Sequence, residues 1–197
     1  MIYITGDCHG NFARFNPSIF PEQNEMTKED YVIICGDFGG VWHREVESKE
    51  ETMVLDWLDS RPFTTLFVCG NHENFDRLYQ YPIENWHGGK VHKIRESVIH
   101  LMRGQVFNID GKKIFSFGGA SSHDIQGGIL EPDDPEFEKS YALLSRGGLP
   151  FRINHWSWWK QELPSDEEME EGRQNLERHN YEVDFIVTHC CSVSTQA

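Results

Sequence analysis

Short apolar runs recur along the first third of the chain, and each one ends in a polar cluster. Ile2-Tyr3-Ile4 leads into Asp7-Cys8-His9, Tyr31-Val32-Ile33-Ile34-Cys35 into Gly36-Asp37, and Thr65-Leu66-Phe67-Val68-Cys69 into Gly70-Asn71-His72-Glu73. Runs that are β-branched or aromatic and unbroken by polar residues predict strands buried on both faces. Open α/β sheets carry their active sites at the carboxyl ends of such strands, so the three clusters point to one site.

Between these strands the periodicity turns helical. Asn11 to Phe15 is a short helical candidate, followed by a polar loop through Pro17 and Pro21. Ser48-Lys49-Glu50-Glu51 has the capping-box pattern, and Met53, Val54, Trp57 and Leu58 follow at helical spacing, which predicts a helix from Lys49 to Asp59, ended by Pro62. Asn74 to Gln80 continues helically from the third cluster. Beyond it, Val98 to Met102, Gln105 to Ile109 and Lys113 to Phe117 read as short strands, the last two joined by the hairpin signal Asp110-Gly111. Gly118 to Asp124 reads as a mobile polar loop and Glu131 to Pro135 as irregular. A second capping box at Ser165 to Glu168 starts a charged helix running to about His179, and Val183 to Val187 reads as another buried strand ending in Thr188-His189. Parallel βα units followed by antiparallel hairpins predict an α/β sandwich: two mixed sheets packed face to face, with helices outside.

Composition narrows the possibilities. A chain of 197 residues, 38% of them hydrophobic, supports one sizeable core and reads as a single domain over residues 1–197. The formal charge of −14, from 32 acids against 18 bases, repels anionic membranes and argues against bulk nucleic-acid binding. It leaves a phosphorylated substrate open, because bound divalent cations invert the local field. No apolar stretch approaches a membrane span and the chain starts directly with strand-like residues, so the expectation is a cytoplasmic protein. Five cysteines, with Cys190 and Cys191 adjacent, make a poor disulfide framework and are expected to be reduced thiols. Cys8, Cys35 and Cys69 fill tight space at strand ends more readily than they bind metal.

The clusters supply ligands of a particular kind. Asp7 and His9 lie two apart and share a face if strand geometry persists, so they can grip one ion. Asp37 can bridge two ions, while Asn71 and His189 offer a carbonyl oxygen and an imidazole at further strand mouths. Mixed oxygen and nitrogen donors suit manganese first, with iron or zinc also compatible. Two such cations about 3.5–4 Å apart can hold a bridging hydroxide for attack on a phosphoester. His72 would then face the substrate, to protonate the departing oxygen or stabilise charge on it.

Asp7-x-His9, Gly36-Asp37, Gly70-Asn71-His72-Glu73 and Thr188-His189, taken in order, resemble the calcineurin-like metallophosphoesterases. The resemblance implies a dinuclear hydrolase of phosphomonoesters or phosphodiesters. It puts Asp7, His9 and Asp37 on one metal, Asp37, Asn71 and His189 on the other, and His72 in catalysis. Two family features lack a match. The aspartate and arginine that usually follow Gly-Asp are replaced by Phe38-Gly39-Gly40, with Arg44 as a possible stand-in, and no closing Gly-His-x-His element precedes Ala197. The expectation is therefore a C-terminally incomplete member, with three protein ligands per metal and final strands missing. Its exposed edge would favour self-association. The alternative is a metal-binding scaffold that keeps the fold without turnover. His123, in the glycine-serine loop, is a candidate substrate contact. Trp156, Trp158 and Trp159 are read as packing a loop against the core in preference to stacking on substrate.

Overall fold

The computed structural model of the protein describes residues 1–190. Strand β1 (Ile2–Thr5) pairs in parallel with β2 (Tyr31–Cys35), and the chain between them makes two 3-10 segments, Ala13–Phe15 and Pro21–Glu25. Helix α1 (Lys49–Asp59) begins at the predicted box: Glu51 N donates to Ser48 Oγ at 3.2 Å and Ser48 N to the Glu51 carboxylate at 3.0 Å. Two N–H groups that helical carbonyls cannot reach are thus satisfied. Strand β3 (Thr64–Val68) adds in parallel to β2, and the one-turn helix α2 (Phe75–Leu78) follows, capped by Asn74.

β4 (Ile83–Trp86), β5 (Gly89–Arg95) and β6 (Val98–Leu101) form antiparallel ribbons, and β6 lies parallel to β3. The large sheet therefore has the order β1-β2-β3-β6-β5-β4. The β4–β5 hairpin was not expected, because Glu84, Lys90, Lys93 and Arg95 interrupt its apolar positions. The next hairpin, β7 (Gln105–Ile109) with β8 (Lys112–Phe117), forms as expected. Asp110 and Gly111 have φ of 51° and 72°, the two left-handed residues that a type I′ turn requires.

A long segment follows β8. It contains β9 (Ile129–Leu130), helix α3 (Phe137–Gly147) and β10 (Arg152–Ile153), which pairs in parallel with β9. Sequence periodicity did not announce α3, none of whose residues is buried. Helix α4 (Asp166–Arg178) starts at the second predicted capping box, and β11 (Phe185–Thr188) pairs in parallel with β8 to complete a smaller sheet of order β11-β8-β7. β11 is not the buried strand expected: at the sheet edge it leaves Phe185 47% and Ile186 65% exposed and buries Val187.

The two mixed sheets face each other. Tyr31, Ile33, Leu66, Val68, Val91, Ile99 and Leu101 of the large sheet meet Phe107, Ile109, Ile114 and Val187 of the small one. Parallel register sets Ile33, Leu66 and Ile99 side by side in this layer. On the other face of the large sheet, Val32, Ile34 and Phe67 pack with Leu55 and Leu58 of α1. Burial on both faces explains why β2 and β3 read as continuous apolar runs. β1 departs from that expectation: it is the edge strand, and Ile4 is 57% exposed. Each fully buried side chain of this size contributes about 1.5–3 kcal/mol. Helix α4 covers the outer face of the small sheet so closely that a Cβ on Gly104 would lie 2.8 Å from Gly172 N. Among the described residues, no helix is long and apolar enough to cross a membrane.

Candidate metal and phosphoester site

The loops after β1 and β2 are bound to each other through the backbone. Cys8 N and His9 N both donate to the Asp37 carbonyl, at 3.0 and 2.8 Å, and Gly10 N donates to the Phe38 carbonyl at 3.0 Å. His9 and Asp37 adopt left-handed φ of 47° and 46°, a strained backbone of the kind that concentrates at functional sites. Glu73, fully buried, joins the loop after β3: its carboxylate accepts from Phe38 N at 2.7 Å and from Gly70 N at 2.8 Å. Burial, and then the charge of Asp37, push its carboxyl up to about 8. Two glycines are dictated by close approach. A Cβ on Gly36 would meet the His189 ring at 2.2 Å, and one on Gly70 would meet Asp37 Oδ1 at 2.1 Å.

These loops gather two groups of side chains around Asp37. In one, ligand atoms of His9, Asp37 and His72 lie within 4.8 Å of one another; in the other, those of Asp7, Asp37 and His189 do. Asp37 is 5% exposed and His189 11%, whereas Asp7 and His9 are about half exposed, at 51% and 50%, so the cluster is anchored below and open to solvent above. Asp37 Oδ1 accepts from Asn71 N at 2.9 Å and His72 N at 3.0 Å. His9 Nε2 stands 3.6 Å from Asp37 Oδ2 and 3.8 Å from Asp7 Oδ2.

The donor set fits divalent cations on its own chemistry. His189 Nδ1 lies 2.8 Å from the Cys35 carbonyl, which can only accept, so Nδ1 donates there. Nε2 faces Asp37 Oδ1 from 3.5 Å. The neutral ring would offer its Nε2 lone pair beside a carboxylate oxygen, a nitrogen and an oxygen donor turned to one cation position.

His72 stands at the border of the cluster. Its ring packs edge-on against His9 at 4.5 Å between centroids and stacks on Trp42 at 5.5 Å. Its Nε2 lies 3.3 Å from Arg152 Nη2. Burial is the main cause holding the His72 pKa down; Arg152 and His9 act in the same direction and Asp37 opposes. Arg152 is itself held by a two-point contact with Asp124, at 2.6 and 3.0 Å. Arg44, a possible stand-in for the family's arginine, lies instead over the Trp156 ring, 3.8 Å from its centroid.

Asn71, expected as a ligand, donates from Nδ2 to Ser122 Oγ at 3.3 Å, and Ser122 in turn is held by Glu162. His123 lies exposed, and its two neighbours Ser122 and Asp124 make the connections to the cluster. The loop expected to be mobile is thus tied down at Ser122. Trp159 is buried, donating Nε1–H to Asp76 at 2.7 Å and packing edge-on against Trp42. The thiols behave as fillers: burial pushes Cys8 up to about 11 and Cys69 to about 12, and Cys35 upward too. Cys191 lies outside the described residues. Sequence reasoning missed Ser122, Asp124, Arg152 and Glu162. Ser122 and Asp124 flank His123 in the polar loop that drew attention to it, whereas Arg152 and Glu162 carry no local signal.

Comparison with known proteins identifies the family. A family profile described as calcineurin-like phosphoesterase matches residues 1–193. Lariat debranching enzyme A of Xenopus laevis is 26% identical over 144 residues, covering 66% of this chain and 26% of its own length. The lariat debranching enzyme of Danio rerio is 27% identical over 154 residues, 71% of this chain and 26% of its own. That of Drosophila pseudoobscura pseudoobscura is 28% identical over 145 residues, 66% and 25% respectively. The chain thus spans about a quarter of the length of these curated relatives. No solved structure matches.

Proposed function

The chain belongs to the calcineurin-like phosphoesterase family, and from that premise we propose that it hydrolyses a phosphodiester at a two-cation site built on Asp37. The observation that carries the reading is that Asp37 is common to both three-residue groups. Asp7 and His189 complete one position with it. His9 and His72 line the other, a division that differs from the expected pairing of Asp7 with His9 and of Asn71 with His189, and Asn71, whose backbone N–H binds Asp37 Oδ1, would add its carbonyl oxygen. Two divalent cations bound there, manganese being the expected ion, would supply charge neutralisation for the phosphoryl oxygens and an attacking water of lowered pKa.

The chain's own residues do the rest. Arg152, oriented by Asp124, presents a guanidinium to an ester oxygen entering beside His72, a charge-assisted contact suited to phosphate. His72 then holds or delivers a proton at the departing oxygen. Trp42, stacked on His72, fixes the ring plane and keeps water from that side. The debranching enzymes among its relatives favour a diester over a monoester. The net charge of −14 favours a small substrate over an extended polyanion.

Hydrolysis of bis(p-nitrophenyl) phosphate and p-nitrophenyl phosphate with added Mn2+, in the parent and in Asp37→Ala, tests the proposal. The expected result is metal-dependent turnover of the diester, reduced at least roughly 10²–10³-fold by the substitution. No metal-dependent turnover, or equal rates in both proteins, would leave a metal-binding scaffold.

A further inference from the structure

The Asn71 side chain has two nearly isosteric orientations, and only one serves a cation. Its carbonyl oxygen can ligate, whereas its NH2 carries only donors. Which end faces the cations is decided by whatever the other end meets. The structure places Ser122 Oγ there, 3.3 Å from Asn71 Nδ2. A serine hydroxyl has one hydrogen and two lone pairs, so its partner on the far side determines what it offers Asn71. That partner is Glu162, whose carboxylate accepts from Ser122 Oγ at 2.7 Å and from Ser122 N at 2.8 Å. With its hydrogen committed to Glu162, Ser122 Oγ has only a lone pair for Asn71. Asn71 must present Nδ2 to it and turn Oδ1 away.

All three side chains are shielded from water that could otherwise supply the missing bond: Asn71 is 9% exposed, Ser122 4% and Glu162 2%. Glu162 lies in a 3-10 turn beside the buried Trp159, and the carbonyls of Gln161 and Glu162 are both fastened by Arg103 Nη2, at 2.8 and 3.1 Å. The end of the chain of bonds is therefore fixed in place. We infer that Glu162 and Ser122 are positioning residues for the metal site: through one directed hydrogen-bond chain they set which end of the Asn71 amide faces the cations. This rests on the two-cation reading above and adds to it two residues from the segment following β8.

The direction of the chain gives an unusual test. In Glu162→Gln, the Ser122 N–H can still only donate, so the glutamine oxygen must take it. The amide nitrogen is then left opposite Ser122 Oγ. Ser122 now receives a hydrogen from Gln and passes its own to Asn71, whose amide turns over and aims NH2 at the cations. An isosteric change thus reverses the chain. Ser122→Ala merely frees the amide to rotate, and a cation can still draw the oxygen inward.

Calorimetric titration of the metal-stripped chain with Mn2+ alone reads this without any turnover. Glu162→Gln is expected to weaken one site by roughly 10–100-fold, the usual cost of disturbing groups that orient a ligand. Ser122→Ala is expected to weaken it measurably, but by less than about tenfold. Glu162→Gln with parental affinity overturns the inference, as does Ser122→Ala losing as much as Glu162→Gln. Should Glu162→Gln fail to fold, Ser122→Ala decides alone, and parental affinity in that variant overturns the inference. A parent chain that binds no Mn2+ at all overturns the two-cation reading and this inference with it. A parent that binds while both variants match it overturns the inference only.

Discussion

Beneath the site, the loops after β1, β2 and β3 hold one another through backbone groups: Cys8, His9 and Gly10 donate to carbonyls of the neighbouring loop, and Glu73 collects two more N–H groups. Above it, residues 119–164 reach the same side chains largely through side chains of their own, Ser122 to Asn71, Arg152 to His72, and Trp159 to Asp76 and Trp42. Two of the three strands beneath the site, β2 and β3, are buried along nearly their whole length, while α3 in the upper segment buries none of its residues. The lower region therefore has the rigidity to define ligand geometry. The upper one can be rewired one contact at a time, which suits it to orienting ligands and contacting substrate.

Gly36→Ala should break the lower region most severely. The added Cβ would lie 2.2 Å from the His189 ring, at a residue whose φ is +88°. Neither the ring, tied to Cys35, nor the backbone can yield cheaply. Overpacking of this kind costs about 1–3 kcal/mol, and displacing His189 should remove measurable Mn2+ binding at its site. Urea unfolding and metal titration check both. A variant with parental stability and affinity would show that the strand ends repack as freely as the segment above them.

Arg152→Ala should act on substrate and leave metal alone. Losing a charge-assisted contact of about 1.5–3 kcal/mol corresponds to roughly a 10–100-fold fall in kcat/KM, with Mn2+ affinity at the parental value. Arg152→Lys restores the charge without the two-point geometry that Asp124 requires, and should recover activity only in part. A fall in metal affinity equal to the fall in kcat/KM would mean that the upper segment shapes the lower one, erasing the distinction between them.

The same division explains what could be read from the sequence. Ile33 and Leu66 announce buried strands because both of their sheet faces are covered, and Asp37 and Asn71 stand out because short polar clusters interrupt those strands at their ends. Both signals are local. Ser48 and Ser165 were legible for the same reason, since a capping box spans four residues. Glu162 is 40 residues from the serine it holds and Arg152 is 80 from His72, and nothing near either one marks a partner at that distance. The β4–β5 hairpin was hidden differently: its charged residues mask the alternation that Val91, Ile94 and their buried neighbours maintain.

His100 gives the smallest expected effect and isolates the stability of the sheet from the chemistry at its edge. It lies on β6 with both ring nitrogens buried and lacking hydrogen-bond partners, between the rings of Phe67, 5.1 Å away, and His92, 5.5 Å away. Burial holds its pKa well below 6.5, with His92 and Arg103 pushing the same way. The unfolded chain therefore takes up the proton first. Stability is full above about pH 6.5 and falls as pH drops toward the folded value, by at most about 1.4 kcal/mol per pH unit for one proton. His92, lowered mainly by burial, adds with the same sign. Glu73, raised to about 8, acts in the opposite sense, its contribution fading as pH climbs toward that value. Subtraction separates them: His100→Phe keeps a ring between Phe67 and His92 and removes the two unsatisfied nitrogens. Urea unfolding of both proteins should give a stability difference that is level above pH 6.5 and grows in favour of the variant as pH falls. Parallel curves would mean that His100 takes up its proton equally in the folded and unfolded chain, and that the acid sensitivity of the sheet lies elsewhere.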